Sequence, residues 1–172
     1  MFYSASAQDL PKEIRGYKVH RAEITVKPQM EKTAAKDKSQ VFVTVGELKL
    51  IDASLSKITF EISAEIISSA QSGNVDFLAF HDFRVNGLTV NVEEYKESFA
   101  FRKNQTASLP KPIKVSISAG QALRGALKEL KESNAEWTVT GRIFVFGHFK
   151  KSFLKFKRVV PIEINLKIKN PL

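Results

Sequence analysis

The residues with the clearest chemical potential lie between positions 142 and 158, where five phenylalanines alternate with basic side chains and no acid occurs. The stretch reads RIFVFGHFKKSFLKFKR. Aromatic rings beside Lys and Arg can stack on nucleic-acid bases or enter the interface of an anionic membrane. A binding surface in this stretch, called the Phe-rich hairpin below, would use Arg142, Lys150, Lys151, Phe153, Lys155, Lys157 and Arg158.

The same stretch also fits an ordinary β-hairpin that turns at residues 148–151. In that interpretation the rings alternate into a core and the lysines line the solvent face. Sheet cores take aromatic residues routinely, and Lys on a strand edge hinders pairing with another chain. Core packing is the preferred interpretation, and binding through the seven residues is the hypothesis to be tested.

The sequence predicts no catalytic residue and no metal site. The histidines, His20, His81 and His148, are far apart in sequence, and none belongs to a ligand motif. The chain has no cysteine, which excludes disulfides and thiolate ligands. Nucleophile-elbow and phosphate-loop motifs are also missing. We therefore expect a non-enzymatic protein that needs no cofactor.

The charge balance is basic, with 27 Lys and Arg residues against 18 Asp and Glu residues, a net charge of +9. Such a charge suits an anionic membrane, an acidic glycan or nucleic acid, although solubility explains it equally well. Nucleic acid is the least favoured of these partners, and an unidentified protein client stays open, as does the oligomeric state. No apolar run reaches the ~18 residues of a membrane-spanning helix, so no transmembrane segment is predicted.

The N-terminus resembles the end of a secretory signal. Ala5 and Ala7 occupy the small-residue positions that precede a cleavage site, although no apolar segment comes before them. We expect an exported protein of the periplasm, envelope or extracellular space, with a cytoplasmic protein as the alternative. Residues 1–16 are predicted to form a flexible tail, with a signal-peptide remnant as its suggested origin.

Residues 17–169 carry the pattern of a single β-rich domain. Apolar and polar residues alternate in several segments, and Gly46 marks a change of phase that indicates a β-bulge. Asn86-Gly87 predicts a tight type I′ hairpin turn. One amphipathic helix is predicted at about residues 119–132, with Ser118 and Gln121 at capping-box spacing. Together these patterns predict an antiparallel, Ig- or fibronectin-III-like β-sandwich of about 7–8 strands.

The order of these segments resembles the late-embryogenesis-abundant (LEA) type 2 family, also called the water-stress and hypersensitive-response domain. The resemblance covers about residues 18–167, and the segments that carry it are VGELKLIDASLSKITFEISAEI, LAFHDFRVNGLTVNV, LPKPIKVSIS, GQALRGALKEL, WTVTGRIFVFG and VVPIEI. The chain lacks the Asn-Pro that usually follows the second long strand, and its Asn170-Pro171 lies at the C-terminus. That departure indicates a divergent, bacterial-type member.

The resemblance implies a β-sandwich linked to desiccation or stress responses, without a known catalytic site. Our leading functional prediction is a non-enzymatic stress protein that binds or shields macromolecules or membranes. The alternative is an envelope or periplasmic adaptor that holds an anionic lipid, glycan or nucleic acid through the Phe-rich hairpin.

Overall fold

Two β-sheets and one helix form the part of the chain that the computed structural model describes, namely residues 10–28, 41–132 and 135–170. Side chains of the helix beyond residue 125 lie outside that part. In chain order the elements are β1 (Glu13–Ile14), β2 (Tyr17–Val19), β3 (Ile24–Pro28), β4 (Val41–Ala53), β5 (Lys57–Ser68), β6 (Ser72–Val85), β7 (Leu88–Thr89), β8 (Asn91–Val92), β9 (Phe99–Phe101), β10 (Thr106–Ser108), β11 (Ile113–Ser118), α1 (Ala119–Glu132), β12 (Glu136–Lys151) and β13 (Leu154–Lys169).

The first sheet has the strand order β1-β2-β13-β12-β6-β7, with β9 also paired to β6. The second has the order β3-β4-β5-β11-β8, with β10 also paired to β5. A mainly β, sandwich-like fold with one short helix is therefore confirmed. Among the described elements, the seven strands of five residues or more match the predicted number of strands.

Two pairings correct the expectation of a wholly antiparallel sandwich. Strand β2 runs parallel to β13, and β3 runs parallel to β4. Both exceptions come from the N-terminal segment, which leaves the first sheet after Val19 and joins the second sheet at Ile24. This crossing brings residues 20–23 over one end of the sandwich.

The predictions of a turn at Asn86-Gly87 and of a bulge at Gly46 are confirmed. The register of β4 against β5 shifts between Val45 and Leu48, which places the bulge at Gly46. Asn86 and Gly87 have φ angles of 49° and 79°, and Val85 pairs directly with Leu88. Positive φ at both turn residues is the requirement of a type I′ turn, which Asn and Gly meet at low cost.

The main hydrophobic core lies between the two sheets. Alternate residues of β13 point into it, and β5 and β11 close it from the other side. Its buried members are Val75, Leu78, Tyr95, Phe99, Phe101, Ile113, Phe149, Val160, Ile162, Ile164 and Leu166.

A second apolar cluster covers the outer face of the first sheet. Its buried members are Ala79, Phe144, Phe146 and Val159, against which Leu10, Ile14, Tyr17, Val19 and Phe77 pack. The prediction of a tail over residues 1–16 is therefore wrong for residues 10–16, which form β1, a turn and part of this cluster. Residues 1–9, with the cleavage-like Ala5 and Ala7, lie outside the described residues.

The helix spans the predicted residues. The backbone N–H of Gln121 donates to the Ser118 side-chain oxygen at 3.3 Å, which is half of the predicted capping box. Gly125 lies so near Leu88 that a Cβ on this glycine would meet the Leu88 Cδ1 at 2.8 Å. Leu123 of this helix is 63% exposed.

Candidate binding surface

The Phe-rich hairpin consists of the C-terminal part of β12 and the N-terminal part of β13. The two strands pair without a register break from Glu136–Lys169 to Lys151–Leu154. Ser152 and Phe153 form the connecting turn, with a φ of 57° at Ser152. The turn predicted at residues 148–151 was therefore placed too early, because the alternation of strand residues runs on to the last lysine before Ser152.

Pairing across the hairpin sorts its side chains onto two faces. Lys150 lies opposite Lys155 and His148 opposite Lys157 on the outer face, which carries the second apolar cluster. On the inner face, which leads to the main core, Phe149 lies opposite Phe156 and Gly147 opposite Arg158. Lys151 and Leu154 continue this inner face to the turn.

The aromatic rings of the hairpin divide into buried and exposed groups. Phe144, Phe146 and Phe149 are buried, as the core-packing interpretation expects. Phe153 at the turn is 87% exposed, and its neighbour Leu154 is 50% exposed. The hairpin therefore presents apolar side chains to solvent at its tip, beside basic residues.

The predicted cations do not form one group. Arg142 Nε lies 2.5 Å from Glu163 Oε1, and its position nine residues before Lys151 puts it about 30 Å from the tip at ~3.3 Å per residue. Lys150, Lys151, Lys155 and Lys157 surround the tip, where no carboxylate of the described residues lies within ion-pair distance of them. We call these four lysines with Phe153 and Leu154 the basic apolar tip.

Lys157 has a defined aromatic contact. Its Nζ lies 4.4 Å from the ring centroid of Tyr17 in β2, a cation–π geometry that also anchors the lysine to the N-terminal segment. Tyr17 Oη donates to Asp76 Oδ2 at 2.8 Å, and His148 Nδ1 lies 3.0 Å from the same oxygen. Burial, then the hydrogen bond to Asp76, raises the pKa of the Tyr17 phenol.

A cleft of about 470 Å³ opens on the inner side of the hairpin. Its walls come from the crossing segment between β2 and β3, the start of β4, the β5–β6 connection and the inner hairpin face. The polar residues that line it are His20, Glu23, Gln71, Lys151 and Arg158, and the larger apolar ones are Phe149, Phe156 and Val160.

Arg158 is held in this cleft from two sides. Its Cζ lies 4.6 Å from the Phe156 ring centroid, and its Nη1 lies 2.8 Å from His20 Nδ1. Because a guanidinium has no acceptor, Arg158 donates and His20 Nδ1 accepts, so the neutral imidazole carries its proton on Nε2. Burial, followed by the charges of Arg158 and Lys151, lowers the pKa of His20.

Sequence reasoning selected Lys151 and Arg158 but missed the cleft that they line. His20, Glu23 and Gln71 come from parts of the chain that had no role in the prediction. No spacing in the sequence connects them, because they meet through the crossing between sheets and not along one strand.

No family model matches this sequence, and neither does any curated protein. Among solved structures the chain is similar to a protein from Archaeoglobus fulgidus, with 9% identity and a TM-score of 0.39 over 74% of this chain and 96% of that one. It is also similar to a candidate LEA protein solved in solution, with 12% identity and a TM-score of 0.37 over 83% of this chain and 76% of the other. Such likenesses carry no argument about function, and membership of the LEA type 2 family stays a prediction.

Within the described residues, no group of three or more His, Asp or Glu side chains is arranged to hold a metal ion. The helix found in the same part of the chain lacks the length and apolar character that a membrane span requires.

Proposed function

We propose that this domain binds peripherally to an anionic membrane surface through the basic apolar tip, without catalysing a reaction. The observation that carries the proposal is the exposure of Phe153, an 87% exposed ring at the end of a long, regularly paired hairpin. Exposure of a large apolar side chain to water is unfavourable, and insertion of that side chain into a lipid interface removes its apolar surface from water.

Apolar transfer and electrostatic attraction at the basic apolar tip are together large enough for reversible membrane binding. Full transfer of a Phe or Leu side chain out of water is worth about 1.5–3 kcal/mol. Each Lys close to an anionic membrane adds about 1 kcal/mol. Phe153 and Leu154 with four lysines can therefore give reversible association, comparable with other interfacial anchors that combine one apolar insertion with a basic patch.

A lipid surface fits this geometry better than nucleic acid does. Stacking of successive bases requires several exposed rings along a groove. Phe144, Phe146 and Phe149 are buried instead, so Phe153 is the ring of these four that solvent reaches freely. A single ring projecting from a cationic rim suits insertion between headgroups.

The proposal places the protein in an exported, envelope-facing setting and in a divergent branch of the LEA type 2 family. Support for the setting comes from the Ala5-Ser6-Ala7 pattern, and support for the family comes from the order of the segments described above. In that setting the basic apolar tip would contact a membrane of the cell envelope.

The test is co-sedimentation of the protein with vesicles of phosphatidylcholine alone and with vesicles containing 30% phosphatidylserine, at low and at physiological salt. The wild type should partition onto the anionic vesicles and be released as salt rises. The double variant F153S/L154S should reduce the partition coefficient by about tenfold or more, since its transfer term is lost.

A control is L55S in the β4–β5 turn, where Leu55 is fully exposed and lies away from the basic apolar tip. This variant should bind like the wild type. An equal loss of vesicle binding in L55S and F153S/L154S would assign the effect to general surface hydrophobicity. Absence of wild-type binding to anionic vesicles at low salt would contradict the proposal.

A second candidate is the desiccation protectant that the family resemblance implies. The order of strand, hairpin and helix segments favours it. The wild type at stoichiometric amounts should preserve the activity of a client enzyme through drying, and F153S/L154S should preserve it equally. Loss of protection in that variant would connect any shielding to the tip instead.

A further inference from the structure

The cleft behind the hairpin combines features that are usually found together in ligand sites. Its volume of about 470 Å³ lies in the range of small-molecule pockets, roughly 300–1,000 Å³. One wall is aromatic, with Phe149 buried and Phe156 half-buried. Two cations, Lys151 and Arg158, stand at its edge.

Arg158 is pre-organised for an anion. The Phe156 ring at 4.6 Å and the His20 imidazole at 2.8 Å hold the planar guanidinium in one orientation. Its contact with His20 uses one of five N–H donors, and a fixed planar fork matches the oxygens of a phosphate. None of the described carboxylates pairs with this guanidinium.

The charges in the cleft define the anion further. Lys151 and Arg158 contribute two positive charges, Glu23 contributes one negative charge, and His20 is neutral when it accepts from Arg158. A dianion can engage both cations. Glu23 limits the affinity through like-charge repulsion.

We propose that this cleft binds a phosphate monoester, whose dianionic phosphate contacts Arg158 and Lys151 while the attached organic group lies against Phe149 and Phe156. The site deepens the membrane-binding function proposed above by naming the headgroup class, and it rests on that function for the source of the ligand. Lys151 connects the two features, because it is the last residue of β12 and also lines the cleft.

The experiment is an NMR titration of the full chain, with the His20 ring as the reporter. The probes are inorganic phosphate, dihexanoyl phosphatidic acid and, as a phosphodiester control, dihexanoyl phosphatidylcholine, all below the micelle concentration. Dihexanoyl phosphatidic acid should shift the His20 signals with saturation, and the bound dianion should raise the pKa of His20. The phosphatidylcholine control should leave the signals unchanged.

Variants separate the contributions of the lining residues. R158Q and K151Q should each weaken binding of dihexanoyl phosphatidic acid by about tenfold or more, the effect of one charged hydrogen bond. E23Q should strengthen it by a few-fold because a like charge is removed. Lys151 is exposed, so K151Q keeps the test informative if R158Q fails to fold. K169Q, at the exposed end of β13 far from the cleft, is the matched control and should bind the soluble probe normally.

The outcomes separate this proposal from the membrane function. Equal affinity for inorganic phosphate and for dihexanoyl phosphatidic acid would overturn the lipid source and support a site for phosphate itself. Vesicle binding with no His20 response to either probe would overturn the cleft site alone. A saturable response lost in R158Q and K151Q, in a protein that ignores vesicles, would overturn the membrane function alone.

Discussion

The two ends of the Phe-rich hairpin share one sequence pattern but have opposite environments. We call the end that holds Arg142 and Phe146 the root, and the other end is the basic apolar tip. At the root, Phe146 is 1% exposed and stacks on Phe77 at 4.3 Å between ring centroids, and Arg142 is paired with Glu163. At the tip, Phe153 is 87% exposed and the flanking lysines have no carboxylate partner among the described residues. Alternation of Phe with basic residues therefore does not itself indicate a binding surface.

The difference arises from what covers each part of the two strands. The root is flanked by β6 on one side and is overlaid by the N-terminal β1–β2 hairpin on the outer face. Pairing of β12 with β6 ends at Lys150–Ser72, so the last pair of the hairpin, Lys151–Leu154, and the turn between them extend beyond the neighbouring strand. A ring at the root thus stabilises the fold, whereas a ring at the tip is free to contact a partner.

The comparison is tested most strongly by truncating one ring from each part. F146A should lower the free energy of unfolding by about 3–5 kcal/mol, because it leaves a cavity in the second apolar cluster. F153A truncates a solvent-exposed ring by the same number of atoms and should change the free energy of unfolding by less than about 0.5 kcal/mol. Urea denaturation of both variants measures the difference, and similar midpoints would mean that root and tip are equivalent.

Gly147 provides a second test of the root. A Cβ at this position would collide with the Asn74 carbonyl oxygen and approach the Val75 Cα at 3.1 Å, in the register shift between β12 and β6. G147A should therefore cost about 1–3 kcal/mol of stability through overpacking. G87A is unsuitable as a control because its φ is positive, so G120A, with open space around the Cβ, is used in thermal unfolding. An unchanged midpoint in G147A would show that the strands can separate freely there.

Charge removal tests the tip. K150Q/K155Q should weaken binding to anionic vesicles by about 2 kcal/mol, from ~1 kcal/mol for each lysine near the surface. R142Q removes one charge at the root and should leave vesicle binding unchanged. Co-sedimentation at several salt concentrations measures both variants, and a loss in R142Q of about half that in K150Q/K155Q would assign the effect to net charge instead of position.

The smallest expected effect concerns pH. Because burial, Arg158 and Lys151 lower the pKa of His20, the unfolded chain binds the proton more tightly than the folded one. Stability should therefore be complete above the ordinary His value of 6.5 and should fall as the pH drops below it. Solvent screening keeps this loss small. H20Q should flatten this part of the stability profile, and an unaltered profile would assign the pH dependence to other groups.

Much of the fold was predictable because its signals are local. The Asn86-Gly87 turn, the bulge at Gly46 and the helix at residues 119–132 each depend on a few neighbouring residues. The parallel pairings of β2 and β3 were missed since their partners lie far along the chain. Residues 10–16 were assigned to a tail for the same reason, as their partner surface is the outer face of β12 and β13.

Predictability was lower for the candidate site. Lys151, Phe153 and Arg158 were selected from the sequence, but Arg142 was grouped with them although it lies nine residues before Lys151, in the middle of β12. No sequence pattern assigned His20 or Glu23 to this site. Whether residues of two sheets lie close together depends on the path of the chain between the sheets, and residue spacing does not predict that path.

The sequence alone determined the β-rich architecture, the single helix and the concentration of Phe, Lys and Arg in one segment, because alternation, turn chemistry and charge are properties of neighbouring residues. Only the tertiary structure decided which of those rings are buried and which cations are left without partners. It also decided that the crossing at residues 20–23 brings His20 to Arg158. Burial and long-range contacts depend on how distant segments pack, so the same Phe–Lys pattern forms a core at one end of a hairpin and an exposed surface at the other.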